Sequence, residues 1–146
     1  MKDNPFDLTG KVALITGGSK GIGYSIASGF ARAGASLFLC GRNEASLATA
    51  VEKLRAETAG RVEFICADMS RREDVQRIAD EAVARLGQVD ILVNNAGWNI
   101  VQAIDEIRDE DWDYLMDLNL TNVMALTRAL APGMKERGWG RVIHIS

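Results

Sequence analysis

The segment with the clearest chemistry is a glycine-rich turn at residues 16–23, which reads Thr-Gly-Gly-Ser-Lys-Gly-Ile-Gly. It follows a short apolar run and precedes a helical pattern, so it joins a strand to a helix. Free backbone N–H groups and the positive end of a helix dipole meet in such a turn and bind a pyrophosphate. Glycine is needed there because a Cβ would hold the phosphates away. We therefore predict a dinucleotide site; the alternative is a glycine-rich turn without a ligand.

The residues after the second predicted strand bear on which dinucleotide is bound. Residues 40–43 read Cys-Gly-Arg-Asn, with no acidic residue to accept a hydrogen bond from a free ribose 2′-hydroxyl. Arg42 can instead pair with a 2′-phosphate, and Lys20 in the glycine turn adds a second cation. This pattern predicts NADP(H) in preference to NAD(H). The alternative is a pair of solvated surface cations.

The chain lacks the P-loop motif of proteins that hydrolyse ATP or GTP. No Gly-Lys-Ser or Gly-Lys-Thr occurs in the chain, so the turn is not a P-loop and hydrolysis of ATP or GTP is not expected.

The elements that must position these residues alternate strictly along the chain. Five short apolar runs predict strands, and apolar residues at helical spacing predict helices between them, two of them separate helices before the last strand. Ser70 and Glu73 have the form of a capping box at the start of the third helix. The strands are predicted at residues 12–15, 36–40, 62–66, 90–93 and 141–145. This order predicts an α/β fold: a doubly wound, Rossmann-type parallel sheet with helices on both faces.

The length and the last strand bear on domain organisation. The 146 residues suit one domain, but a final strand would leave a hydrophobic edge uncovered. We expect residues 1–146 to form a single NADP-binding domain that is the N-terminal part of a longer one.

Composition narrows the function classes. The net charge is −3 and no apolar run approaches the ~18 residues of a membrane helix, so neither nucleic acid nor a membrane is an expected partner. One histidine and two cysteines cannot form a His/Cys zinc site, and we expect no metal. Cys40 and Cys66 each lie in an apolar run, which predicts buried thiols in a cytoplasmic protein.

Four motifs in order give the chain a family resemblance. They are the Thr16-Gly-x-x-x-Gly21-x-Gly23 turn, Asp68, the run Asn94-Asn95-Ala96-Gly97, and Asn119. Together they resemble the classical short-chain dehydrogenase/reductase family, over residues 11–146. Residues 16–24 and 40–43 are most similar to its tropinone-reductase-like and 3-oxoacyl-carrier-protein-reductase-like members.

The resemblance implies roles by position. Asp68 is expected to bind the adenine amino group, Met69 to supply a backbone contact, and Asn119 to hold a water in a proton relay. The run 94–97 is expected to lie along the cofactor and to brace the central strands. The full set of expected cofactor-binding residues is Gly17, Ser19, Lys20, Gly21, Ile22, Gly23, Arg42, Asp68, Met69, Asn95, Ala96 and Gly97.

The chain departs from the family at its catalytic core. The family uses a serine and a Tyr-x-x-x-Lys motif, but here Tyr24 is followed four positions on by Ser28, and Tyr114 by Leu118. The family serine is usually the second of two after strand five. We therefore expect Ser146 to be the first of these two serines and the neighbour of the catalytic one. The less favoured alternative is that Ser146 is itself the catalytic serine.

The expected function is an NADP(H)-dependent oxidoreductase that interconverts a ketone and a secondary alcohol. Because a proton donor is missing, we expect the 146 residues alone to be inactive. By resemblance, the protein is a homo-oligomer, a dimer or a tetramer. One alternative is a catalytically dead module that binds a dinucleotide or a partner subunit. Another is a Rossmann-like methyltransferase, which Gly41 and Arg42 disfavour because that class has an acid at the end of strand two.

Overall fold

The structure is a computed structural model that describes residues 4–146. Five strands are connected by five helices, two of which lie between the fourth and fifth strands. The strands are β1 (Val12–Thr16), β2 (Ser36–Gly41), β3 (Val62–Cys66), β4 (Ile91–Asn94) and β5 (Arg141–His144). The helices are α1 (Gly21–Arg32), α2 (Glu44–Arg55), α3 (Arg72–Leu86), α4 (Asp109–Met116) and α5 (Asn122–Glu136). The predicted strand positions are confirmed to within one residue at each end.

All strands are parallel and follow the order β3-β2-β1-β4-β5. Side chains of successive strand residues point to opposite faces, so the strands contribute to two separate cores. Leu14 and Phe38 pack with α3 and α5 on one face, whereas Ile15 and Leu39 pack with α1 and α2 on the other. The predicted doubly wound α/β fold is confirmed.

The strand order reverses between β1 and β4, which is where this fold binds ligands. The chain leaves β1 toward β2 on one side and reaches β4 on the other, so the connections diverge at the carboxyl ends of these two strands. In open α/β sheets the resulting crevice is the usual ligand site. The glycine turn follows β1 and the run 94–97 includes the end of β4, so both predicted motifs lie at this crevice.

One prediction about the helices is wrong. Ser70 and Glu73 do not form a capping box, because the Ser70 hydroxyl donates to Asp68 and Glu73 pairs with Arg71. Arg71 is the N-cap residue, and its side chain makes no capping bond. The two helices expected before β5 are joined by a π-helical turn, Asp117–Thr121, that connects α4 directly to α5.

The prediction of two buried thiols is half wrong. Cys40 is buried in the central strand β2, but Cys66 is exposed. Cys66 is the last residue of β3, which lies at the edge of the sheet and has a neighbouring strand on one side only.

The outer edge of β3 is covered by arginine side chains. Alternate carbonyl oxygens of this strand point away from β2, and each accepts a hydrogen bond from a different guanidinium group. Arg55 donates to Val62 O at 2.9 Å, Arg85 to Phe64 O at 3.2 Å and Arg77 to Cys66 O at 3.0 Å. These bonds satisfy backbone acceptors that an edge strand otherwise leaves to solvent or to another chain.

Candidate active site

A cleft of about 540 Å³ lies at the carboxyl ends of the central strands. Its walls come from the glycine turn, the ends of β2 and β3, and the run after β4. Eleven of the twelve residues predicted to bind the cofactor line it, namely Gly17, Ser19, Lys20, Gly21, Ile22, Arg42, Asp68, Met69, Asn95, Ala96 and Gly97. Segments that lie far apart in the sequence are thus brought to one site.

Gly23, the twelfth predicted residue, does not line the cleft but packs behind it. A Cβ on Gly23 would collide with the carbonyl oxygen of Gly17 and lie 2.5 Å from Nδ2 of Asn95. Glycine at this position therefore allows the first turn of α1 to approach the loops that follow β1 and β4.

The glycine turn presents unpaired backbone donors. Gly17 and Gly21 have φ values of +65° and +56°, a conformation that glycine adopts without strain. No acceptor within residues 4–146 engages the N–H groups of residues 19–23, which open helix α1. A helix N-terminus with free N–H groups attracts anions. This turn could hold the pyrophosphate of a dinucleotide.

Thr16 and Asn95 fix the glycine turn to the loop after β4. Thr16 Oγ1 accepts hydrogen bonds from the N–H groups of Asn95 (3.0 Å) and Ala96 (2.9 Å). In return, Asn95 Nδ2 donates to the carbonyl oxygens of Thr16 (3.1 Å) and Gly17 (3.2 Å). These bonds brace the ends of β1 and β4.

The wall of the cleft carries two cationic side chains. Arg42 follows β2 and its side chain is exposed, with Nη1 3.5 Å from the hydroxyl of Tyr114. Lys20 lines the same cleft. In the described part of the chain neither cation forms an ion pair, and Asp68 is the only acidic residue of the cleft wall. An anionic group bound here would meet two uncompensated cations.

The turn after β3 is fixed by contacts from two helices. Asp68 N–H donates to Asp74 Oδ2 of α3 at 2.8 Å. The carbonyl oxygen of Met69 accepts from Nδ2 of the buried Asn122, the first residue of α5, at 2.9 Å. Asp68 and Met69 therefore meet the cleft in a defined geometry.

The two predicted catalytic candidates lie in an adjoining cavity of about 890 Å³. Asn119 and Ser146 both line it, and Ala96 lines both this cavity and the cleft. Asn119 belongs to the π-helical turn, and such turns are frequent at functional sites. Its side chain donates to Trp98 O at 2.9 Å and accepts from Trp98 N–H at 3.2 Å, so it holds the loop that follows β4.

Cys40 also lines the cleft, but its thiol is not reactive. The side chain is fully buried, and burial raises the pKa of Cys40 to about 12. The protonated thiol is neither a nucleophile nor a metal ligand at neutral pH. Residues 4–146 contain no cluster of three His, Cys, Asp or Glu side chains that could hold a metal ion.

Sequence reasoning missed three residues that shape the cleft. The sequence patterns indicate Thr16 only as part of the glycine motif, and they indicate neither Asp74 nor Asn122. Thr16 could have been found, because a threonine that ends a buried strand needs a partner for its hydroxyl. Asp74 and Asn122 act through contacts that no sequence spacing reveals.

Known proteins similar to this chain identify the family to which it belongs. The profile of the short chain dehydrogenase family matches residues 11–146. The chain is 40% identical over 139 residues to D-beta-hydroxybutyrate dehydrogenase of Cupriavidus necator, an alignment that covers 95% of this chain and 54% of that protein. The chain belongs to the short chain dehydrogenase family, a family of oxidoreductases.

Solved structures extend the likeness to three dimensions. L-sorbose reductase from Gluconobacter frateurii, complexed with NADPH and L-sorbose, superposes with a TM-score of 0.92 at 39% identity, covering 95% of this chain and 53% of that one. A 7α-hydroxysteroid dehydrogenase complexed with NADH gives 0.91 at 33% identity, covering 97% of this chain and 55% of that one. The chain thus spans about half the length of the relatives it matches.

No helix among residues 4–146 combines the length and the apolar character that crossing a lipid bilayer requires.

Proposed function

We propose that the protein is an NADP(H)-dependent oxidoreductase that interconverts a ketone and a secondary alcohol. The observation that carries the cofactor preference is the charge of the cleft wall: Arg42 and Lys20 both line the cleft, neither forms an ion pair within residues 4–146, and no carboxylate ends β2. A 2′-phosphate is stabilised by such cations, whereas a free ribose hydroxyl gains little from them. The relatives include a protein complexed with NADPH and one complexed with NADH, so family membership alone does not select the cofactor.

The cofactor would lie along the cleft. The N–H groups of residues 19–23 would hold its pyrophosphate, Arg42 and Lys20 its 2′-phosphate, and Asp68 with Met69 its adenine. Asn95, Ala96 and Gly97 would support the end that faces the adjoining cavity. When bound, the nicotinamide group supplies or accepts a hydride.

Proton transfer to the carbonyl oxygen needs a separate donor. Asn119 lines the adjoining cavity, and we assign to it the water-holding position of a proton relay. Neither Tyr24 nor Tyr114 lines the cleft or this cavity. The 146-residue chain would therefore bind the cofactor without turning over a ketone.

Calorimetric titration with NADPH and NADH tests the proposal in the full chain. Arg42→Asp should weaken NADPH binding at least tenfold and leave NADH binding within about twofold, because only NADPH carries the phosphate. Lys135→Asp makes the same change of charge near the end of α5, away from the cleft, and serves as control. Equal losses for both nucleotides would contradict the NADP(H) assignment, and no heat with either would contradict the dinucleotide site.

Assembly into a dimer or a tetramer is also part of the proposal. Leu120, in the π-helical turn that joins α4 to α5, and Met124, in the first turn of α5, are large apolar side chains that are about half exposed. Sedimentation velocity of the full chain would measure the oligomer, and a monomer at micromolar concentration would contradict it.

A further inference from the structure

Nearly all arginine side chains of this protein have a polar partner. The chain contains twelve arginines, and ten of them donate a hydrogen bond or form an ion pair within residues 4–146. The two exceptions are Arg72, the first residue of α3, and Arg128, in the middle of α5. A guanidinium group always carries a charge and has only donors, so these two side chains are available to an anion.

Both of these arginines line one small cavity between α3 and α5, with a volume of about 180 Å³. Gln76 lines it from α3, and Ala125 and Ala129 line it from α5. Since alanine has no side-chain atoms beyond Cβ, the two alanines leave space between the longer side chains. In the described part of the chain, none of the residues lining this cavity also lines the cleft at the carboxyl ends of the strands.

The positive charge of this cavity is not compensated by the protein. Among residues 4–146, none of those lining the cavity is acidic. On α3, Glu73 and Asp74 pair with arginines other than Arg72. On α5, residues 122–135 include neither aspartate nor glutamate, so Arg128 has no carboxylate within a turn of its own helix. Unpaired cations of this kind attract an anion from solution.

We propose that this cavity binds a phosphate group, at a site separate from the cleft and independent of the proposed function. The two guanidinium groups match a doubly charged oxyanion in charge, and each can donate parallel N–H bonds to its oxygens. Gln76 Nε2 gives one N–H to Asp80 Oδ1 at 2.9 Å and keeps a second for a ligand. A cavity of about 150 Å³ holds a benzene molecule, so this one admits a phosphate group but not a whole dinucleotide.

The two arginines differ in what else they contact. Arg128 also lines the adjoining cavity of about 890 Å³, and Arg72 does not. A phosphate group held between α3 and α5 engages both side chains, whereas an anion in the adjoining cavity engages Arg128 alone. Substitution of Arg72 therefore identifies which cavity is occupied.

The test is an NMR titration of the isotope-labelled full chain with sodium phosphate at constant ionic strength. The backbone amide signals of Gln76, Ala125 and Ala129 should shift and saturate, with a Kd on the order of 1 mM. Arg72→Gln and Arg128→Gln should each raise this Kd at least tenfold, because each removes hydrogen bonds between charged groups. The same spectra show whether each variant is folded.

Two controls accompany the titration. Lys135→Gln removes a cation near the end of α5, outside the cavity, and should leave the Kd within about twofold of the wild-type value. Methyl phosphate in place of inorganic phosphate distinguishes the two sources of the group. Tighter binding of the monoester supports a phosphorylated metabolite as the ligand, and tighter binding of inorganic phosphate supports the free ion.

Three results would overturn the proposal. They are the lack of a saturable shift at the three reporter amides, equal shifts when sodium chloride replaces phosphate, and an unchanged Kd in Arg72→Gln. Shifts confined to residues 17–23 would place the phosphate in the cleft alone and would also contradict this site. None of these results affects the proposed function, because NADPH binding is measured separately by calorimetry.

Discussion

The side-chain amide of Asn95 lies where a side chain on Gly23 would have to go. Asn95 Nδ2 donates to the carbonyl oxygens of Thr16 and Gly17, and a Cβ on Gly23 would come within 2.5 Å of it. One residue opens α1 and the other follows β4, so this contact joins the two sides of the crevice. Glycine is required at position 23 by the close approach of Asn95 and of the Gly17 carbonyl group.

Gly23→Ala should therefore damage both stability and binding. The added methyl group must displace Asn95 or move α1, which overpacks the region and should lower the free energy of unfolding by about 1–3 kcal/mol. We expect NADPH affinity to fall roughly tenfold or more, because the N–H groups of residues 19–23 move with the helix. Urea unfolding and calorimetric titration measure the two effects.

Gly29→Ala is the matched control on the same helix. Nothing lies within 4 Å of a Cβ built there, and its φ is not positive. Alanine should stabilise the helix by roughly 0.5–1 kcal/mol and leave NADPH binding unchanged. If both substitutions affected binding alike, the close packing of Gly23 would not be the cause.

The two cysteines should differ in reactivity. Cys66 is exposed, whereas Cys40 is fully buried with its pKa raised to about 12 by that burial. Ellman's reagent at pH 8 should titrate one thiol per chain in the native protein and two in guanidinium chloride. Cys66→Ser should abolish the native reaction; a fast second thiol in the native state would contradict the burial of Cys40.

Asp74 should make stability depend on pH. Hydrogen bonding from the Asp68 N–H lowers the pKa of Asp74 below its ordinary value of 3.8. Because this pKa is lower in the folded than in the unfolded state, ionised Asp74 stabilises the fold at pH values above 3.8. Its contribution to the free energy of unfolding is lost as the pH falls through the folded-state pKa. The contribution of Asp74 to the free energy of unfolding should therefore be larger at pH 7 than at pH 3.

Urea unfolding at pH 7 and pH 3 measures this contribution. Asp74→Asn should be less stable than the wild-type protein at pH 7, and the difference should shrink at pH 3. Asp80→Asn, a control on the same helix, should show no such convergence. A difference that is equal at both pH values would show that the charge of Asp74 is not responsible.

Local patterns in the sequence were sufficient for the strands and for the glycine turn, whereas the predictions for Asp68, Met69 and the run 94–97 rested on the family resemblance. Short apolar runs such as residues 12–15 are buried on both faces, and only a parallel sheet covered by helices provides that environment. The glycine turn and the run 94–97 follow strands β1 and β4, so the fold necessarily brings them together.

The errors arose where a side chain had two possible partners. Ser70 and Glu73 satisfy the spacing of a capping box, but Asp68 and Arg71 bind them instead. Cys66 has apolar neighbours in sequence, yet strand order alone decides that β3 is an edge. The bond between Asp74 and Asp68 depends on where α3 packs, which no local pattern encodes.

The arginines along β3 also determine where the sheet can grow. A strand approaching from that side would have to displace three guanidinium groups before it could pair with the backbone. β5, at the opposite margin, has β4 as its single neighbour. The guanidinium groups therefore protect the β3 edge from backbone pairing with a further strand, on the side of the sheet where Asp68 lines the crevice.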